Sequence, residues 1–353
     1  MKKYWRFLLS LLFLFLSCLV LEHTKQLSDK EYYDTMLSAS QKTEAAFHAL
    51  KAEKLSRGFT ISPLDDPNQT GMIGDPYTEI TTTLGNIESK RSTTNPNISA
   101  MIVDMLTQCG VKSGDHVAVN LSSSFPAANI AVICALDAMD VKGTIINSVG
   151  ASTYGANLPE FTYGDMEHFL LEQGYIKNHA EYFSLGGVGD QGKEMPEELK
   201  ENITARLEGF GLTFLNYEDI DENTEARAAI YKAQGEPACF VNAGGNLLSF
   251  GGGSEMVSAK NGVVKPGGTV KGNHGLIPLF LRENVPVIHL LNMKILLPAY
   301  GLPVDPMPVP AAGEGGVYHE WQYNLPLAAI LLFANAAWLI WAAKKYPHRR
   351  FPL

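Results

Sequence analysis

The spacings that announce a metal site or a Walker phosphate loop are missing from this chain. No two histidines stand at H-x3-H spacing and no two cysteines at C-x2-C spacing, which argues against a metal cofactor. Gly186-Gly187 and Gly244-Gly245 do not complete the Walker sequence G-x-x-x-x-G-K-[ST], and each could serve only a tight turn. Cysteine is scarce: Cys18 lies in an apolar run, and Cys109, Cys134 and Cys239 sit in apolar patterns that suit buried free thiols rather than a disulfide framework. Positive charge is also short. The formal net charge is −9, and between His23 and His319 there are 21 basic residues against 35 acidic ones. That balance excludes nucleic acid as a partner and a broad electropositive groove for a polyanion.

What the chain does have is apolar length at both ends. Tyr4 to Leu21 is almost wholly apolar beside Lys2, Lys3 and Arg6, and Leu325 to Ala343 is a second run followed by Lys344, Lys345, Arg349 and Arg350. At ~1.5 Å per residue the second run reaches ~28 Å, close to the ~30 Å hydrocarbon core of a bilayer. No small-x-small cleavage site follows the first run, so it is read as an uncleaved anchor at residues 4–22, paired with a C-terminal transmembrane helix at 325–343. The flanking charge places both termini in the cytoplasm, with Tyr4, Trp5, Trp321 and Tyr323 as interface anchors. The expectation is two spans of the cytoplasmic membrane, with residues 24 to 320 periplasmic or extracellular.

Between the spans, residues 24–57 hold helix formers with Leu27, Met36, Leu37, Phe47, Leu50 and Leu55 at roughly helical spacing, which reads as a helical stalk. Residues 58–110 form a Thr- and Asn-rich segment packed on the main domain. It begins with a Pro- and Gly-rich loop at 59–80, long enough to suggest a binding role, and ends in an apolar helix at 98–109. From 111 to 297 strand and helix alternate. Strands are expected at 116–121, 143–149, 181–186, 212–216, 238–242 and 285–291, and helices at 125–139, 162–174, 195–209, 221–234 and 274–283. That alternation predicts a doubly wound α/β fold, a mostly parallel, Rossmann-like three-layer sheet. Residues 298–322, with Pro298, Pro303, Pro306, Pro308 and Pro310, read as an extended tether to the second span.

Ligands of such sheets bind beyond the carboxyl ends of the strands, and the polar clusters sit there. Ser122, Ser123 and Ser124 follow the first strand and lead into Pro126, with Ser124 as the expected N-cap. Ser122 or Ser123 could bind a carboxylate at the helix N-terminus or act as a nucleophile, or the triplet could only cap the helix. A catalytic reading would take His274 as the base and Asp165 as its orienting partner, although the triplet lacks the flanking glycines of a G-x-S-x-G elbow. The binding candidates are Lys90, Arg91 and Asn95 in the Thr-rich segment, Asn120, Ser152, Thr153, Asn157 and Asp190 at the first three strands, and Asn242, Gly244 and Gly245 at the fifth. Arg91 suits bidentate capture of a carboxylate. Gly251 to Gly253 with Gly262, Gly267, Gly268 and Gly272 form a loop able to close over a ligand or merely to connect, and His289 reads as a hydrogen-bonded core group.

Several long stretches in order, TTTLGNIESKRSTTNPN, SSSFPAANIAV, SVGASTYGANLPEFTYGDME, SLGGVGDQG, FVNAGGN, VIHLLN and YGLPVDP, resemble the poly-γ-glutamate system protein family of bacterial capsule loci over roughly residues 70 to 307. The resemblance implies a membrane-anchored accessory protein whose partners are the poly-γ-glutamate chain, the membrane subunits of its synthase and the lipid bilayer. It brings no catalytic residues. Three functions follow as expectations: a binding or assembly component, a serine-type hydrolase or transferase of the γ-glutamyl chain, and a structural tether.

Overall fold

The computed structural model describes residues 5–251, 260–267 and 274–344; Gly252, Gly253, Gly268, Gly272, Lys345, Arg349 and Arg350 lie outside the described residues. The chain divides into two units, residues 1–31 with 319–353, and residues 32–318.

The larger unit is built on a seven-stranded sheet. In chain order its strands are β1 (His116–Ser122), β2 (Lys142–Ser148), β3 (Ala180–Ser184), β4 (Thr213–Phe214), β5 (Cys239–Ala243), β6 (Gly262–Val264) and β7 (Val287–Leu290). They lie in the order β6-β7-β5-β1-β2-β3-β4, all parallel except β6, which runs antiparallel to β7. The strands form because short β-branched runs alternate their side chains between two apolar layers. Val117, Val119 and Leu121 enter one core with Val241 and Ile145, under helices Tyr33–Ser56, Ile98–Gln108 and Pro126–Met139. Ala118, Phe240, Ile146 and Val287 enter the other, packed against Ala228 and Tyr231 of helix Ile220–Lys232 and Phe280 of helix Leu276–Arg282. Helices therefore cover both faces, giving a mixed α/β domain with a mostly parallel sheet.

Three segments differ from expectation. The stretch read as a stalk contributes a helix to the main core: Met36, Ala39, Ala46 and Leu50 of Tyr33–Ser56 are buried against helices Ile98–Gln108 and Pro126–Met139. The stretch read as a tether is bound along its length. Helix Met293–Ala299 contains Pro298, the Asn97 side chain holds Ala311 O and Gly313 N at 2.9 Å each, and the buried Tyr318 hydroxyl lies 2.7 Å from Ser40 Oγ. The glycine-rich connection supplies an edge strand, since Gly262-Val263-Val264 is too short to show a period yet pairs with His289 to Val287.

In the smaller unit, helix Trp5–His23 lies against helix Leu325–Lys344, and strand Gln26–Asp29 pairs antiparallel with His319–Gln322. Two polar contacts join the helices: Trp338 Nε1 donates to Ser10 Oγ at 3.0 Å, and Asn335 Nδ2 to Ser17 Oγ at 2.9 Å. Among the described residues one helical segment, Leu325–Ala342, is long and apolar enough to cross a membrane; the apolar stretch of the N-terminal helix, Leu8–His23, is shorter. By that test the expectation of two flanking spans is met at one end only.

Candidate functional site at the carboxyl ends of the strands

Successive strands leave β1 on one side toward β2, β3 and β4, and return on its other side as β5 and β7. The loops after β1 and β5 consequently part, which makes the crevice where open α/β sheets bind ligands. Asn120 and Asn242 face each other across this point, in register, with Asn120 Nδ2 donating to Asn242 Oδ1 at 2.9 Å. From there a buried network runs both ways. Asn242 Nδ2 donates to His289 Nδ1 at 3.1 Å, while Asn120 Oδ1 accepts from Arg227 Nη1 at 2.9 Å. Arg227, only 1% exposed, also donates to Asn223 Oδ1, Ser184 Oγ and Asp190 Oδ2, the last at 2.7 Å.

A buried guanidinium without its carboxylate would be strongly destabilising, so Arg227 and Asp190 fix each other. They fasten the loop after β3 to the centre of the sheet. Burial pulls the His289 pKa down to about 4, so the ring is neutral, and acceptance at Nδ1 leaves its proton on Nε2. The Phe250 ring stands edge-on to it, with centroids 5.1 Å apart.

A second cluster lies where the loops after β1 and β2 meet the Thr-rich segment. Lys90, on helix Ile87–Ser92, is 2% exposed; its Nζ donates to Ser152 Oγ at 2.7 Å and to Ser124 O. The Phe125 ring centroid is 3.8 Å from the same nitrogen. Desolvation brings the Lys90 pKa down to about 7. Ser152 N donates to Ser124 Oγ at 3.0 Å, and Gly85 is clasped from both sides by Thr153 Oγ1, which accepts from Gly85 N at 2.7 Å and bonds Gly85 O at 3.2 Å. At Gly85 a Cβ would sit 2.8 Å from Ser152 Oγ, so only glycine allows this approach.

The structure reassigns many of the candidates. Ser124 is not the N-cap, which is Phe125; its hydroxyl instead holds the backbone of Ser152. Ser123 Oγ is spent on Ser148 O, and Ser122 Oγ accepts from Ser124 N at 3.3 Å. The Arg91 guanidinium is not open to a ligand carboxylate, because it already holds Asp305 in bidentate fashion at 2.8 and 2.5 Å. Asn95 is wholly buried and braces Asn97 N, while Asn157 ties Asp75 to Thr81. Asp165 closes the capping box of helix Tyr163–Glu172 and pairs with Arg206, whereas His274 pairs with Asp221 on the exposed surface at 2.8 Å. The proposed His274–Asp165 relay is therefore not formed. Gly244, at φ +105°, lies against Ser122, where an added Cβ would come within 2.6 Å of the Ser122 Cβ; Gly245 beside it is exposed.

The sequence reading missed Arg227, Asn223, Ser184, Ser249 and Asp305. Ser249 bonds Asn242 Oδ1 at 2.5 Å and Asn246 Oδ1 at 2.6 Å. A signal for the network was present in the matched amides near the ends of two buried strands, Asn120 and Asn242. Gly187 to Gly192 also spells G-x-G-x-x-G, but no helix opens from it: it contains only a 3-10 turn at Val188–Asp190, and the next helix begins at Glu197. It thus lacks the helix N-terminus that a dinucleotide fingerprint requires. Among the described residues no group of three His, Cys, Asp or Glu side chains is placed to hold a metal ion. The chain matches no family model, no curated protein and no solved structure.

Proposed function

We propose that this protein is an extracytoplasmic, membrane-anchored component of poly-γ-glutamate synthesis and export, binding the polymer or the synthase subunits at the carboxyl edge of its sheet. One observation carries the reading: the seven separated stretches on which the family resemblance rests meet at this edge. Gly85 and Lys90 touch Ser124, Ser152 and Thr153; Arg91 holds Asp305; Asp190 reaches Asn120 through Arg227; and Asn242 reaches His289. That edge is the end of the sheet where open α/β folds bind ligands.

The two terminal helices supply the anchor. Their outward side chains, among them Leu8, Leu12, Phe15, Ile330, Phe333 and Ile340, are exposed and apolar, and a bilayer is the solvent that suits them. Ser10, Ser17, Asn335 and Trp338 face inward and bond to one another, as polar residues do between spanning helices. Both termini lie in the cytoplasm by their basic flanks. The acidic surplus of the domain limits contact with the polymer to a few glutamate units at the edge.

Full-length protein in detergent, incubated with short γ-glutamyl oligomers and separately with the membrane subunits of the synthase, tests the reading. Retention of either is the expected result. Retention of neither refutes it.

A further inference from the structure

The polymer-binding reading leaves one contact at the strand ends unexplained. Lys90 and Ser152 are both buried, at 2% and 4% exposure, with Nζ and Oγ 2.7 Å apart. We propose that Ser152 is a nucleophile and Lys90 its general base, together forming an acyl-transfer centre for γ-linked amides. The substrate class rests on the polymer reading above; the pairing of the two side chains does not.

A second buried lysine supplies the comparison. Lys54 is 3% exposed, but its ammonium is held by two carbonyl oxygens, Gly71 O at 3.3 Å and Ile73 O at 2.8 Å, and it feels the nearby carboxylates of Asp66 and Asp75. Those partners only accept, so they suit a permanent cation. Lys90 gains nothing from an acidic neighbour, and one of its two partners is a hydroxyl that can also donate. Desolvation leaves a large share of it neutral near pH 7, able to take a proton. The backbone of Ser152 is pinned to Ser124 Oγ in the same turn whose carbonyl Lys90 grips, so base and nucleophile share one support. The face of Phe125 stabilises the ammonium that forms when the proton moves.

Gly85, held by Thr153, is backbone set against the pair: a Cβ there would meet Ser152 Oγ at 2.8 Å and Lys90 Cε at 3.1 Å, and its neighbour Leu84 is 92% exposed. Displacing Gly85 opens the pair to a chain end. In the first half-reaction Ser152 Oγ bonds to the amide carbonyl carbon as its proton passes to Lys90 Nζ. The C–N bond then breaks and the leaving amine takes that proton. In the second, water or an acceptor amine gives a proton to Lys90 and attacks the Ser152 ester, and the proton returns to Ser152 Oγ as the acyl group leaves. Water completes hydrolysis; an amine completes transfer.

Full-length protein in detergent, treated with a fluorophosphonate probe from pH 6 to 9 and mapped by peptide mass spectrometry, tests the proposal. The expected adduct is on Ser152, forming about tenfold faster per pH unit up to about pH 7 and levelling above it. Lys90→Met and Lys90→Arg, each shown by circular dichroism to be folded, should both react at least about 100-fold more slowly. The proposal is overturned by an adduct only on other serines, by none, or by wild-type rates in both lysine variants. Oligomer retention by the wild-type protein separates the two readings: retention without an adduct rejects this centre alone, and an adduct without retention rejects the polymer alone.

Discussion

Replacing Lys90 with Met should invert its effect on stability as pH rises. Methionine keeps the length of the side chain and its packing on Phe125 but cannot titrate. The lysine moves from its ordinary 10.5 to about 7 on folding, and at about 1.4 kcal/mol per pKa unit that is worth about 5 kcal/mol. The sign follows from proton binding. Between pH 7 and 10.5 the unfolded lysine holds a proton that the folded one has lost, so stability rises with pH across this window, by about 1.4 kcal/mol per unit. Below pH 7 both states are charged and the folded protein bears the full penalty. Methionine removes it but forfeits the hydrogen bonds to Ser124 O and Ser152 Oγ and the contact with Phe125, together about 2 to 3 kcal/mol. Lys90→Met should therefore be about 2 kcal/mol more stable than wild type at pH 6, equal to it near pH 8.5 to 9, and less stable by about 2 to 3 kcal/mol at pH 10.5. Urea unfolding of the full-length protein followed by far-UV circular dichroism reads this. Tryptophan fluorescence would not, because Trp5, Trp321, Trp338 and Trp341 all lie in the terminal unit. Parallel stability curves for the two proteins would refute the assignment of a desolvated, titrating Lys90.

Arg227→Met should cost about 3 to 5 kcal/mol by stranding the Asp190 carboxylate, and adding Asp190→Leu should recover much of that; a single substitution costing under about 1 kcal/mol in urea would show that the pair is not desolvated. Tyr318→Phe removes a buried hydroxyl that bonds Ser40 and Asn97, at about 1 to 3 kcal/mol, and should speed limited proteolysis within residues 305–316; unchanged cleavage would mean that the strap is held elsewhere. In a Cys18→Ala background, cysteines placed at 17 and 335 should cross-link within one chain when oxidised in membranes, as the Ser17–Asn335 contact requires; failure to cross-link would separate the two terminal helices.

How much could be read from sequence depended on how each residue is held. The strands were legible because burial on both faces demands short apolar runs, and the helices between them because their faces repeat every 3.6 residues. Helix Tyr33–Ser56 was recognisable as a helix but not as part of the core, since its buried face includes Ser40, Thr43 and Lys54, whose polar groups are satisfied locally or by a neighbouring loop. Arg227 stood in a helix rich in charge, where a solvated face is the ordinary outcome; only partners far away in sequence, from Asn120 and Ser184 to Asp190, make its burial tolerable. The Pro-rich strap is fixed by scattered contacts, from the Asn97 side chain to its backbone and from Arg91 to Asp305, which leave no period to detect.

Lys90 and Arg91 show the limit most sharply. They are adjacent, alike in charge, and looked equally suited to a ligand's carboxylate. One residue of helix is a rotation of about 100°, and that turn sends Arg91 outward to Asp305 and Lys90 inward to Ser152. Asp305 lies more than two hundred residues further along the chain, in the stretch that had looked like a free tether. Until that strap is folded back, nothing in the local pattern says which of the two cations is already neutralised. The residue with an acidic partner becomes a brace. The residue without one is left as a buried amine beside a hydroxyl, and the chemistry open to this edge of the sheet follows from that difference.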